Sequence, residues 1–196
     1  LEKEQFGPPT PVYNKLFYNS RGQLAEIRAG TSYTGPADIT WDRGAIVNSY
    51  SNQCTGACSG SNMSDNNGNL LKQQIYVPGH QMRWQQYDYD SLNRLNSARE
   101  ALDGGAEQWK QQFTYDRWGN RTINTGVTYG TGINNKAFTV NTANKRLGLP
   151  GGQSGVMTYD AVGNLTNDTY TGAGNRTYDA ENKITSAWGG NNQAQL

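Results

Sequence analysis

One histidine, His80, and two cysteines, Cys54 and Cys58, are all that the chain has of imidazole and thiol. A zinc site on the two cysteines needs two further ligands. A cysteine nucleophile served by His80 lacks a third group to orient the base, because the thiols sit in the Gly/Ser-rich stretch Gln53-Cys54-Thr55-Gly56-Ala57-Cys58-Ser59-Gly60. Apolar residues are scarce as well: 34% of the chain is hydrophobic and mean hydropathy is −0.83, values near those of chains too polar to bury a core. No run of about 20 apolar residues occurs, so the sequence contains no membrane-spanning helix. Net charge is +1 with Lys and Arg dispersed, which leaves no basic cluster for nucleic acid. The opening residues, Leu1-Glu2-Lys3-Glu4-Gln5, are not a signal peptide, as expected of a processed chain or an internal fragment.

What the chain does have is tyrosine, tryptophan, glycine and a repeat. Twelve tyrosines and five tryptophans supply burial in place of aliphatics, and 24 glycines fit a turn-dense all-β protein. The clearest copy of the repeat is Tyr115-Asp116-Arg117-Trp118-Gly119-Asn120-Arg121-Thr122. Eight units align on an aromatic position at Tyr18, Trp41, Ser64, Tyr89, Tyr115, Val140, Tyr159 and Tyr178. The next residue is Asn19, Asp42, Asp65, Asp90, Asp116, Asn141, Asp160 or Asp179. Four residues after the aromatic stands Gly22, Gly68, Asn93, Gly119, Asn144, Gly163 or Asn182; in the second unit Gly44 comes one residue early.

Turn physics explains both columns. Asp and Asn side chains accept hydrogen bonds from backbone N–H groups two residues on and open a turn. Gly and Asn tolerate positive φ. A period-two apolar pattern leads into most units, with Leu16, Ile39, Tyr87, Phe113, Phe138 and Met157 two residues before the aromatic position. Each unit therefore reads as strand, tight turn and return strand. The expectation is an array of β-hairpins with Tyr18, Trp41, Tyr89, Tyr115, Tyr159 and Tyr178 stacked across neighbouring strands. Residues 97–112 have some helical character, but the repeat register predicts strand there. The array is expected over 13–188, after an irregular lead-in at 1–12 and before a polar tail at 189–196. A repeat of this kind buries its face only by continuing.

The pattern Tyr-Asp-x-x-Gly-Asn-Arg/Leu-Thr resembles the YD repeat of the Rhs family, which includes teneurin ectodomains and the encapsulating subunits of bacterial insecticidal toxin complexes. The resemblance runs over about 16–188 and is especially close from Gly163 to Ala187. It implies a long sheet of hairpins that spirals into an arc of a hollow β-shell, secreted or at the cell surface and bacterial in preference to eukaryotic. The implied partners are further repeats of the same polypeptide, other copies through the end strands, and an enclosed toxin domain. The family's self-cleaving Asp-Pro-x-Gly-Leu type motif does not occur in this chain, and a complete shell needs many more than eight repeats. The expectation is a piece of a larger protein or a unit that assembles with others.

Other chemistries are weaker. Cys54 and Cys58 are close enough for a local disulfide; ordinary loop thiols and a metal pair are the alternatives. Asp88 and Asp90 flank Tyr89 on one strand face like a glycosidase acid pair, yet Asp90 is needed by its turn. Asp65-Asn66-Asn67-Gly68-Asn69 resembles the start of a calcium loop, but Tyr76 stands where the bidentate Glu belongs. No cofactor, no metal and no enzymatic activity are expected. The alternative to a structural array is a carbohydrate-binding surface in which Trp118 stacks on a sugar ring.

Overall fold

The computed structural model describes residues 3–7, 9–52, 65–189 and 192–195, and every regular element among them is a β-strand. Cys54 and Cys58 lie outside the described residues. All pairings are antiparallel between strands consecutive in sequence, so the architecture is the all-β hairpin array that the repeat predicts. The chain divides into two compact units, the first holding 1–112 and 127–133, the second 113–126 and 134–196.

The first unit is a meander of β1 (Lys3–Phe6), β2 (Val12–Tyr18), β3 (Leu24–Gly30), β4 (Gly44–Ser49), β5 (Lys72–Tyr76), β6 (Arg83–Tyr89), β7 (Leu95–Leu102) and most of β8 (Glu107–Tyr115). The lead-in expected to be irregular contains β1, which pairs with β2 from Lys3↔Lys15 to Phe6↔Val12. The 97–112 stretch is strand on both sides of the 103–106 turn, as the register requires. One rung of this sheet is aliphatic: Leu16 faces Ile27, Ile27 faces Ile46 and Ile46 faces Ile75. The rung beside it is polar. Gln73 donates to Asn48 Oδ1 at 3.0 Å, Gln85 donates to Glu100 Oε2 at 2.8 Å, and the Tyr87 hydroxyl donates to Gln85 Oε1 at 2.7 Å. Lys72 and Arg99 lie over the Trp84 ring at 5.5 and 5.6 Å. Side-chain amides and cations on aromatic faces thus do part of the work that aliphatics do elsewhere, which is how a chain this polar folds.

The second unit contains the end of β8 paired with β9 (Arg121–Ile123), the short hairpin β10 (Thr139–Val140) and β11 (Leu147–Gly148), and a five-stranded sheet. That sheet is β12 (Met157–Tyr159), β13 (Leu165–Asp168), β14 (Gly174–Tyr178), β15 (Ile184–Gly189) and β16 (Asn192–Gln195). β16 pairs with β15 through Ser186↔Gln195 to Gly189↔Asn192, within the stretch expected to be a polar tail.

The fully buried side chains are not the large aromatics. Buried hydrophobics are Ala25, Ala45, Val47, Ala98, Ala101 and Phe113. Lys15, with 1% exposure, is buried too. Its ammonium pairs with Asp38 Oδ1 at 3.0 Å and donates to the Thr40 carbonyl at 2.7 Å. Asp38 also accepts from the backbone N–H groups of Thr34 and Thr40, both at 2.9 Å. The Thr40 hydroxyl, these N–H groups and the Lys15 ammonium together outweigh burial and hold the Asp38 carboxyl far below the usual carboxylate range. This node pins the 31–43 connection onto β2.

Candidate functional site: the tyrosine and Asx turn row

Five hairpins have one geometry. Tyr18 pairs with Leu24, Tyr89 with Leu95, Tyr115 with Arg121, Tyr159 with Leu165 and Tyr178 with Ile184, always six residues apart. Within each loop the N–H after the tyrosine donates to the carbonyl four residues on, as from Asp90 to Arg94 at 2.9 Å and from Asp116 to Asn120 at 3.1 Å. The fourth residue after the tyrosine closes the tight turn through its N–H and takes positive φ: Gly22 at 75°, Asn93 at 59°, Gly119 at 86°, Gly163 at 106° and Asn182 at 62°. This is a three-residue loop ending in a left-handed residue, which twists with the strands it joins.

The Asx side chain completes each turn from inside. Asp116 Oδ1 accepts from Trp118 N at 2.8 Å and Asn120 N at 2.9 Å, and Oδ2 accepts from the Asn120 amide at 2.8 Å. Asp90 accepts from Leu92 N, Arg94 N and Arg94 Nε. Asp160 accepts from Val162 N, Gly163 N, Asn164 N and the Asn164 amide. Asp179 accepts from Glu181 N and Lys183 N, and Asn19 does the same for Arg21 N and Gln23 N. The carboxyl pKa values of Asp90, Asp116 and Asp160 fall accordingly. The Arg94 N–H is the main cause at Asp90 and the Asn120 amide at Asp116. At Asp160 burial pushes upward most, but the Asn164 amide and three backbone N–H groups together outweigh it.

Three units depart from the expected turn. At Val140 the partner is Leu147, seven residues on, and positive φ falls on Lys145 (60°) instead of Asn144, because this loop has one more residue. Trp41-Asp42-Arg43-Gly44 is not a hairpin. It closes the long 31–43 connection: Asp42 accepts from the Thr31 N–H and hydroxyl, both at 2.7 Å, and Gly44 opens β4. Asp65 likewise sits at the end of a long connection, where it accepts from the Ser51 hydroxyl and, at 2.8 Å, from Asn52 N. Gly68 still takes positive φ, 99°, with Asn66 as the local acceptor.

Among the described residues the motif aromatics show no ring contact with one another. Two strands separate successive motif positions, about 9 to 10 Å, too far for ring contact. The ring pairs among described residues are others: Trp41 with Tyr76 at 5.5 Å, Tyr13 with Tyr33 at 5.9 Å and Phe138 with Tyr170 at 5.6 Å. Three of the motif tyrosines reach sideways through their hydroxyls instead. Tyr178 donates to the Leu165 carbonyl at 3.0 Å, Tyr159 to Leu147 at 2.9 Å and Tyr89 to Leu70 at 2.9 Å. Tyr50, outside the motif, donates to Leu24 at 3.1 Å. Leu165, Leu147 and Leu24 open the return strand of the preceding turn, and Leu70 lies two residues before β5. Burial raises the pKa of Tyr50, Tyr89 and Tyr159, which keeps them donors. Side-chain amides add turn-to-turn bonds, from Asn164 to Asn182 at 2.9 Å, from Asn69 to Asn93 at 2.9 Å and from Asn66 to Gln23 at 2.8 Å.

The residues considered for chemistry are placed differently. Both Asp90 oxygens are engaged in its turn, while Asp88 accepts from the Ser97 hydroxyl at 2.7 Å. Among the described residues no group of three or more His, Cys, Asp or Glu could hold a metal, and no helix is long and apolar enough to cross a membrane. Trp118 is 60% exposed at its turn tip, with Arg117 and Lys145 over the ring at 4.5 and 5.4 Å. The tyrosine rungs and the Lys15–Asp38 pair were not legible as sites. The one signal for the rungs is that the motif uses tyrosine where phenylalanine would serve a purely apolar role.

No family model matches the chain, and no curated protein matches it. Among solved structures, the crystal structure of TcdB2-TccC3-Cdc42 is similar over 92% of this chain and 12% of that one, with 14% identity and a TM-score of 0.30. The chain therefore spans about an eighth of that neighbour's length, and a likeness this weak carries no functional argument.

Proposed function

We propose that the chain is a non-enzymatic structural repeat array, a wall segment of an Rhs-type shell or a self-assembling repeat subunit. The observation that carries this reading is the coupling of successive turns. The motif's tyrosine hydroxyls and Asx side chains bind the neighbouring turn or their own. Polar groups arranged in this way hold a wall together; a catalytic site would instead aim several of them at one point in space. β1 and β16 stand at the ends of their sheets, and such strands pair readily with further strands. Further repeats of the same polypeptide, or other copies, are the partners this implies. An enclosed toxin domain and a secreted or cell-surface location belong to the same reading.

The test is the denatured mass of the polypeptide in its native source beside the mass of the native particle. A denatured mass far above 21.6 kDa, or one near it within a much larger particle, is expected. A polypeptide of 21.6 kDa that is monomeric in its native source contradicts the proposal.

The exposure of Trp118 favours a second reading, a carbohydrate-binding surface. The two cations over its ring compete with a stacked sugar. Saturable glycan binding that Trp118→Ala abolishes would favour this reading over the wall.

A further inference from the structure

We infer that the cavity between β11 and β12 is a binding site for the C-terminal carboxylate of an extended peptide ending in an apolar residue. No ladder bonds join β11 to β12, which belong to different sheets. A cavity of about 470 Å³ opens there. Thr139 and Tyr159 line it, their hydroxyls donating to the carbonyls of Leu149 at 3.1 Å and Leu147 at 2.9 Å. Asn141 Oδ1 is taken by the N–H groups of Ala143 and Asn144, and Asn144 Oδ1 by the N–H of Arg146. One Arg146 Nη is anchored on the carbonyls of Asp160 at 2.7 Å and Ala161 at 3.1 Å. Both asparagine amides have no hydrogen-bond partner among the described residues, and the Arg146 guanidinium, 5.6 Å from the Tyr159 ring centroid, keeps further N–H groups to donate. No carboxylate lines the cavity, and Val140, Leu147 and Met157 supply an apolar wall.

A fixed cation beside two unpartnered amides, with no carboxylate in the lining, fits an anionic acceptor. A neutral sugar would leave that cation without a counter-charge. The apolar wall takes the side chain beside the carboxylate, and β12, paired only with β13, offers a free edge for the peptide backbone. This inference is independent of the wall proposal, since a wall segment and a monomer could both carry the site.

The experiment is an NMR titration of the isotope-labelled full chain with acetyl-Gly-Val-Leu, as free acid and as C-terminal amide, and with glucuronic acid. The free acid is expected to give saturable shifts of the Arg146, Asn141 and Asn144 side-chain N–H signals. The amide should bind about tenfold or more weakly, one hydrogen-bonded charge being worth at least that factor. Arg146→Gln should erase the difference between acid and amide; if this variant fails to fold, the wild-type comparison of the two peptides still decides. Equal binding of acid and amide, glucuronic acid binding in preference to the peptide, or no saturable shift at about 10 mM peptide each overturns the assignment.

Discussion

The hydroxyl of Tyr178 donates to the backbone carbonyl of Leu165 at 3.0 Å. Leu165 opens the return strand of one turn and Tyr178 closes the approach strand of the next, so a single side chain spans two hairpins. Between these hairpins the ladder itself pairs only Asn167 with Asn175 and Asp168 with Gly174, at the end away from the turns. The tyrosine supplies the bond that the backbone does not make near the turns. Tyr159 and Leu147 repeat the relationship where β11 and β12 share no ladder bonds.

Gly119→Val should lower stability by well over about 1 kcal/mol, because a β-branched residue resists the left-handed region. Gly119 has φ of 86° and no atom within 4 Å of the place its Cβ would take, so backbone strain is the whole effect. Thermal unfolding checks it, with Gly119→Asn as the control; asparagine already serves this position at Asn93 and Asn182. An unchanged Tm for the valine variant would show the turn register to be wrong.

Lys15→Met should destabilise more than Gly119→Val. It leaves the Asp38 carboxylate buried without its cation, and breaking one side of such a pair is far costlier than never forming it. Replacing both partners, Lys15→Met with Asp38→Leu, should recover part of the loss. Urea denaturation of the two variants reads the difference.

Acid should weaken the array through its turns. Asp90, Asp116 and Asp160 have folded pKa values below their ordinary one, so at low pH the unfolded state binds more protons than the folded state. The stability they contribute is present above the unfolded value of about 3.9 and is lost as pH falls through the folded values. Asp116→Asn should fold near neutral pH, as Asn19 and Asn141 already cap turns, and should show a shallower loss of stability between about pH 4 and 2.

The turns at Asn19, Asp90, Asp116, Asp160 and Asp179 were legible in the sequence because every contact that makes them lies within six residues. The same two-column signal misled at Trp41 and Asp65. There the Asx side chain closes a long connection, through Thr31 and Ser51, and nothing local separates that use from a hairpin cap. The extra loop residue that moves positive φ to Lys145 is visible only in the pairing of Val140 with Leu147. The rungs were misread as ring stacks because the spacing of strands, not of residues, decides whether rings touch. Lys15 and Asp38 lie 23 residues apart with no pattern to join them.

Tyrosine-to-phenylalanine substitution tests most directly whether the repeat is an array coupled through hydroxyl rungs. Tyr89→Phe, Tyr159→Phe and Tyr178→Phe each remove one bond to the preceding turn. Each should cost about 0.5–1.5 kcal/mol by chemical denaturation. Tyr18→Phe is the internal control, since Tyr18 is 48% exposed and its hydroxyl has no partner among the described residues; it should cost nothing measurable. Equal effects at all four positions, or none at any, would contradict the account.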